Sequence, residues 1–206
     1  MNIIWKEKNY IEIETKNQKG EDIKILLFPP KENFEKEIQK NNPQIVIFTD
    51  DLSYKEKDIP YFLISEPGEY ETKDVFVYLF FIEPKVYFIK IVSENIKISH
   101  LNSFSKKDLP EEIIEKLGQI DILFFSLESL NPKEASALVS QLEPKIAIPI
   151  GYEKNKEDIL KDFLKQRGIK KEIEKIDKLK IKDTSLPRGE DYETQLVILN
   201  PSKIKS

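Results

Sequence analysis

Pro132-Lys-Glu-Ala-Ser-Ala-Leu-Val-Ser-Gln-Leu-Glu-Pro-Lys-Ile-Ala-Ile-Pro-Ile150 carries both periodicities from which the fold is read. Ala135, Leu138, Val139 and Leu142 recur at helical spacing on one stripe, and Asn131 is placed to cap the helix they define. Ile146–Ile150 follows as a short apolar strand. The same alternation extends to either side. Upstream, Pro110–Leu117 predicts a helix with Asp108 as N-cap, Pro110 in the first turn and Gly118 past the end, and Ile122–Phe125 predicts a buried strand. Downstream, Lys156–Arg167 predicts a helix with Ile159, Leu160, Phe163 and Leu164 inward and Gly168 at its end. Leu179–Ile181 and Leu196–Leu199 close the chain as strands.

The first half is richer in strands. Tyr10-Ile-Glu-Ile-Glu-Thr15 alternates as a half-buried strand does, and a polar turn at Asn17–Gly20 leads to a second strand, Ile23–Phe28, ended by Pro29-Pro30. Lys31–Lys40 is a short helix with Phe34 and Ile38 on one face, and Ile45–Phe48 is a strand apolar on both faces. A polar loop, Thr49–Asp58, precedes a strand at Tyr61–Ile64. Glu66-Pro-Gly-Glu69 reads as a tight turn with Gly68 at positive φ. Val75–Ile82 and Lys85–Val92 form a hairpin about Glu83-Pro84, and Ile96–His100 alternates again. The aromatic group Tyr78, Phe80, Phe81, Tyr87 and Phe88 is at sheet spacing and is expected in the core. With no repeat and no linker, one domain over residues 1–206 is expected, a mixed α/β chain with sheets covered by helices.

Composition narrows the chemistry. The 206 residues include no Cys and one His. That excludes disulfides, Cys-ligated zinc, iron–sulfur clusters, cysteine nucleophiles and any cluster of imidazoles. The net charge is −4 and the pI about 5.4, which argues against a general phosphate-backbone binder and hence against a nucleic-acid partner. Basic residues gather over Lys161–Lys182, but Glu172, Glu174, Asp177 and Asp183 interleave with them, as on a solvated face. The longest apolar run, Val75–Ile82, is about half the ~20 residues of a membrane-spanning helix. No membrane partner and a cytoplasmic location are the expectation.

Several segments read in order resemble the metallo-β-lactamase fold superfamily, in particular its small bacterial and archaeal zinc-dependent hydrolase-like members. They are Trp5, the strands Tyr10–Glu14 and Ile45–Phe48, Glu66-Pro-Gly-Glu-Tyr-Glu71, Ile98-Ser-His-Leu101, Ile120-Asp-Ile-Leu123, Leu142-Glu-Pro-Lys-Ile-Ala-Ile-Pro-Ile-Gly-Tyr152, and the closing Leu179–Pro187. The resemblance implies a four-layer αββα sandwich: two mixed β-sheets face to face, helices outside, and a metal site on one edge.

In such a site imidazoles hold one or two metal ions that lower the pKa of a bound water to near 7 and polarise the scissile group. The resemblance aligns the usual His-x-His-x-Asp-His run with Thr49-Asp50-Asp51-Leu52-Ser53-Tyr54. Thr49, Asp51, Ser53 and Tyr54 thus stand at vestigial metal-site positions, and of these only Asp51 has a carboxylate. An early Gly-His-Ser element aligns with Glu7-Lys8-Asn9. The His-Leu-Gly-Asp element aligns with His100-Leu101-Asn102-Ser103, with Ser103 in place of the bridging aspartate, and the last ligand position falls on Gly151. The expectation is a chain that has lost its metal ligands, with no cofactor, and that acts as a non-catalytic binding or structural protein for a protein partner or small molecule.

The alternative is a hydrolase that uses a hard cation at a carboxylate-based site, with Asp50, Asp51 and His100 as its weak catalytic candidates. For His100 the plain reading is packing or hydrogen bonding beside a sheet edge.

Overall fold

The structure, a computed structural model, describes residues 1–49, 59–83, 86–102, 109–152, 157–189 and 192–202. The chain opens with an antiparallel meander of β1 (Asn2–Glu7), β2 (Tyr10–Lys16) and β3 (Asp22–Leu27). A single 3-10 turn at Lys31–Asn33 leads into α1 (Phe34–Asn41), so the helix foreseen from Lys31 begins three residues later. β4 (Ile45–Ile47) lies parallel to β3, and β5 (Phe62–Ile64) lies parallel to β4.

The second half adds β6 (Gly68–Thr72), β7 (Val75–Glu83), β8 (Val86–Ser93) and β9 (Ile96–Asn102), joined antiparallel. Then come α2 (Glu111–Leu117), β10 (Ile122–Ser126), α3 (Pro132–Leu142), β11 (Ile146–Ile150) and α4 (Glu157–Gln166). Short strands end the chain: β12 (Lys175–Ile176), β13 (Leu179–Lys180), β14 (Gln195–Leu196) and β15 (Ile198–Leu199). Two mixed sheets result, ordered β13-β1-β2-β3-β4-β5 and β14-β11-β10-β9-β8-β7-β6, beside a small β12-β15 pair.

Side-chain alternation divides the core. Ile11, Ile13, Ile25, Leu27, Ile45 and Ile47 leave the first sheet toward the second and share one cluster with Val77, Leu79, Ile89 and Ile91. Tyr10, Leu26, Val46 and Phe48 emerge on the opposite face, where Phe34 and Ile38 of α1 cover them. Each such side chain contributes about 1.5–3 kcal/mol by leaving water. Ala135, Leu138 and Val139 of α3 and Leu160 and Phe163 of α4 join the main cluster, giving the αββα layering.

Several expectations are corrected. β1 was not signalled, because its alternation is weak, yet Ile3 and Trp5 are wholly buried. Gly68 begins β6 opposite Leu79, with no positive φ. The tight turns lie instead at Lys73-Asp74 (φ 53° and 59°) and Glu94-Asn95 (φ 50° and 60°), two-residue hairpin connections that need left-handed backbone. Leu196–Leu199 is not one strand: Leu196 pairs with Ala147 while Ile198 pairs with Lys175. Of the aromatic group, Tyr87 and Phe88 are buried, Tyr78 and Phe80 half-buried, and Phe81 is 44% exposed. Pro110 occupies the N-cap position of α2; Asp108 lies outside the described residues, as do residues 84 and 85 of the β7–β8 turn.

Candidate functional site

β3 and β4 run parallel in one sheet, and β9, β10 and β11 run parallel in the other. Their carboxyl ends are Thr49, His100–Asn102, Ser126 and Gly151, the kind of edge where α/β folds place ligands. Five of the sequence-derived positions, Asp50, Asp51, Ser53, Tyr54 and Ser103, lie outside the described residues. Thr49 is half-buried just beyond Phe48, whose amide donates to the Ile64 carbonyl at 3.0 Å.

His100 packs against aromatic rings, as its plain reading expects. It is near the carboxyl end of β9, the central strand of the seven-stranded sheet, paired with Phe124 on one side and Ile89 on the other. It is also 1% exposed, and neither Nδ1 nor Nε2 has a hydrogen-bond partner. Its ring lies 5.4 Å from that of Phe28 and 6.4 Å from that of Phe124. Burial among apolar rings disfavours the charged form and pushes its pKa down to about 3, so the imidazole is neutral at pH 7.

Phe28 reaches His100 from the end of β3 with φ at 51°, a left-handed conformation that is rare and costly for a bulky residue. Its amide donates to the Ile47 carbonyl at 2.9 Å, which holds the strained residue in place. The ring also lies 6.5 Å from Tyr87, so one aromatic from the first sheet covers the second sheet where His100 sits.

At Gly151 the backbone has φ +75°, and a Cβ built there would stand 2.9 Å from Ser126 Oγ and 3.3 Å from both Glu128 Cβ and the Glu128 amide nitrogen. Ser126 Oγ itself accepts from that amide at 3.2 Å. The place where the resemblance puts a final metal ligand is thus closed by a serine hydroxyl and its bonded backbone. Ser126 was missed in the sequence; its one signal is a polar residue directly after the buried run Ile122–Phe125.

The flank of the edge is tied by aromatics. Trp5 and Tyr152 pack with ring centroids 4.8 Å apart. Trp5 Nε1 donates to the Lys8 carbonyl at 2.9 Å, and the Tyr152 hydroxyl donates to the Leu199 carbonyl. Burial pushes the Tyr152 phenol above its usual range. Trp5 is a scaffold residue that pins the β1–β2 turn at Lys8.

A zinc site of the nitrogen and sulfur type needs three or more such donors converging at about 2.0–2.3 Å. The sequence holds one His and no Cys, and that His is enclosed by Phe28 and Phe124. Among the described residues no group of three His, Cys, Asp or Glu side chains is placed to hold an ion. The described residues therefore do not fit the zinc site that the resemblance implies. No helix among them is long and apolar enough to cross a membrane.

No protein-family model and no curated protein matches this chain. Solved structures do. A Thermotoga maritima protein named for the Zn-dependent hydrolases of the metallo-β-lactamase superfamily is 20% identical, with a TM-score of 0.70 over 99% of this chain and 100% of that one. The metallo-β-lactamase fold protein YhfI from Bacillus subtilis is 8% identical, with a TM-score of 0.58 over 98% of this chain and 96% of that one. The likeness runs nearly end to end and establishes a metallo-β-lactamase fold.

Proposed function

We propose that this metallo-β-lactamase-fold chain works without the fold's metal, as a non-catalytic binding or structural protein rather than as a hydrolase. The observation that carries the reading is the state of His100: the chain's one imidazole is buried between Phe28 and Phe124 with both nitrogens unbonded. Gly151 supports it, since no side chain enters there without displacing Ser126 or Glu128. Hydrolysis on this fold depends on a metal-bound water ionised near neutral pH. A chain whose imidazole serves as packing has no evident means of generating it.

The test pairs thermal unfolding in Zn²⁺, Mn²⁺ or Mg²⁺ with turnover of a phosphodiester, an ester and a β-lactam. An ion at one hundred times its Kd adds about 2.7 kcal/mol and raises Tm by roughly 5–10 °C in a chain of this size. No shift and no turnover are expected. Metal-dependent turnover accompanied by that shift overturns the proposal, and a response confined to Mg²⁺ or Mn²⁺ assigns it to the hard-cation site at Asp50 and Asp51.

A further inference from the structure

Away from the strand-end edge, a groove of about 760 Å³ lies between α4 and the segment that follows it. That volume is within the range of small-molecule sites. Its floor is apolar: Leu160 and Leu164 from α4, Ile169 and Ile173 from the following segment, and Ile198 from β15. Leu164, Ile169 and Ile173 are half-buried, so apolar surface remains open to solvent along the groove. The rim is cationic, with Lys161, Lys165, Lys170, Lys171 and Lys175 against Glu157 and Glu172. This is a local excess of positive charge on a chain whose net charge is −4.

The lysines differ in what holds them. Lys175 is committed to Glu157 at 2.9 Å. Lys161 and Lys165 make only exposed pairs with Asp158 and Asp162 on their own helix, at 3.2 and 3.1 Å, of the kind that contributes little and is readily exchanged. Lys170 and Lys171 are exposed and make no ion pair among the described residues. Lysine stems lie along apolar walls while their ammonium groups reach into water, so an anionic group at the mouth meets several cations at once.

We infer that this groove binds a long-chain carboxylate, with its alkyl chain on the Leu160–Leu164–Ile169–Ile173–Ile198 floor and its head group between Lys170 and Lys171. Among the described residues no aromatic side chain lines the groove, so they offer no stacking platform for nucleic-acid bases. An apolar floor does not suit a free phosphate either. The inference does not depend on whether the strand-end edge holds an ion.

The experiment is calorimetric titration of the full chain with oleate below its aggregation concentration, repeated with oleyl alcohol and with octanoate. Methyl NMR then locates the bound ligand. The expected result is saturable one-to-one binding, weaker for both analogues, with shifts at Leu160, Leu164, Ile173 and Ile198. The double substitution Lys170→Glu and Lys171→Glu, on exposed positions and checked for native circular dichroism, should weaken oleate binding at least about tenfold, equivalent to about 1.4 kcal/mol. Non-saturable uptake, undiminished affinity in the charge-reversed variant, or methyl shifts elsewhere overturns the assignment. So does binding of an acidic amphipathic peptide or an anionic vesicle without binding of oleate.

Discussion

Replacing His100 by leucine removes two buried nitrogens that no hydrogen bond satisfies, and leaves a side chain of similar size in contact with Phe28 and Phe124. Each unsatisfied buried polar group costs on the order of 1–3 kcal/mol, against which the change of shape costs up to about 1.5 kcal/mol. At pH 7.5 the variant should therefore be as stable as the parent or more so, by up to a few kcal/mol. Acid separates the two more sharply. The imidazole titrates at 6.5 in the unfolded chain and at about 3 when folded. Because the folded value is depressed, the unfolded state takes up the proton first, and stability falls as pH drops below 6.5. Linkage gives a loss of about 1.4 kcal/mol by pH 5.5 and about 2.7 kcal/mol by pH 4.5. A carboxylate titrating at or below its ordinary value loses less than about 0.1 kcal/mol by pH 5.5, so the interval from 7.5 to 5.5 isolates the histidine. Urea unfolding at those two pH values should show the loss in the parent and none in His100→Leu. A variant destabilised by 2 kcal/mol or more at pH 7.5 would refute the reasoning, because it would mean that the imidazole nitrogens hold a partner in solution.

Other substitutions probe the rest of the frame. Gly151→Ala puts a Cβ within 2.9 Å of Ser126 Oγ at a φ of +75° and should lower stability by about 2–4 kcal/mol by thermal unfolding. Glycine at Ser126 in the same chain should recover part of that loss. Asn131→Ala removes the acceptor for the Lys133 and Glu134 amides, both at 3.0 Å, and should cost about 1 kcal/mol in urea. Glu12 is 3% exposed and paired with Lys6 at 2.8 Å and Lys24 at 3.3 Å. Burial alone would raise its pKa, but the two ammonium groups outweigh burial and hold it below 4.5. Its contribution is present above that pH and lost as pH falls through the folded value, so Glu12→Gln should cost about 1–3 kcal/mol at pH 7 and have a flatter acid limb below pH 4.5.

Local chemistry made α3 legible from the chain alone. Its apolar stripe, its Pro132 and its Asn131 cap are all within a few residues of one another, and the reciprocal bond from the Asn131 amide to Glu134 at 3.0 Å completes the box. The same holds for β4 and β10, whose unbroken apolar runs read as strands buried on both faces. β1 did not read so, because its partners, β2 and β13, decide its burial rather than its own pattern. At the strand-end edge the residue types were legible: one imidazole, a glycine directly after the β11 run, and no thiol. What surrounds them was not. Phe28 covers His100 from a different sheet, and Ser126 closes Gly151 from a neighbouring strand; both are long-range facts that no local spacing encodes.

Elemental mass spectrometry of the native chain, expressed without added metal salts and purified without chelators, meets the central claim most directly. The account predicts zinc, manganese and iron each far below one ion per chain, and an unchanged Tm after treatment with a chelator. One tightly held transition-metal ion per chain, whose removal lowers Tm, would contradict it.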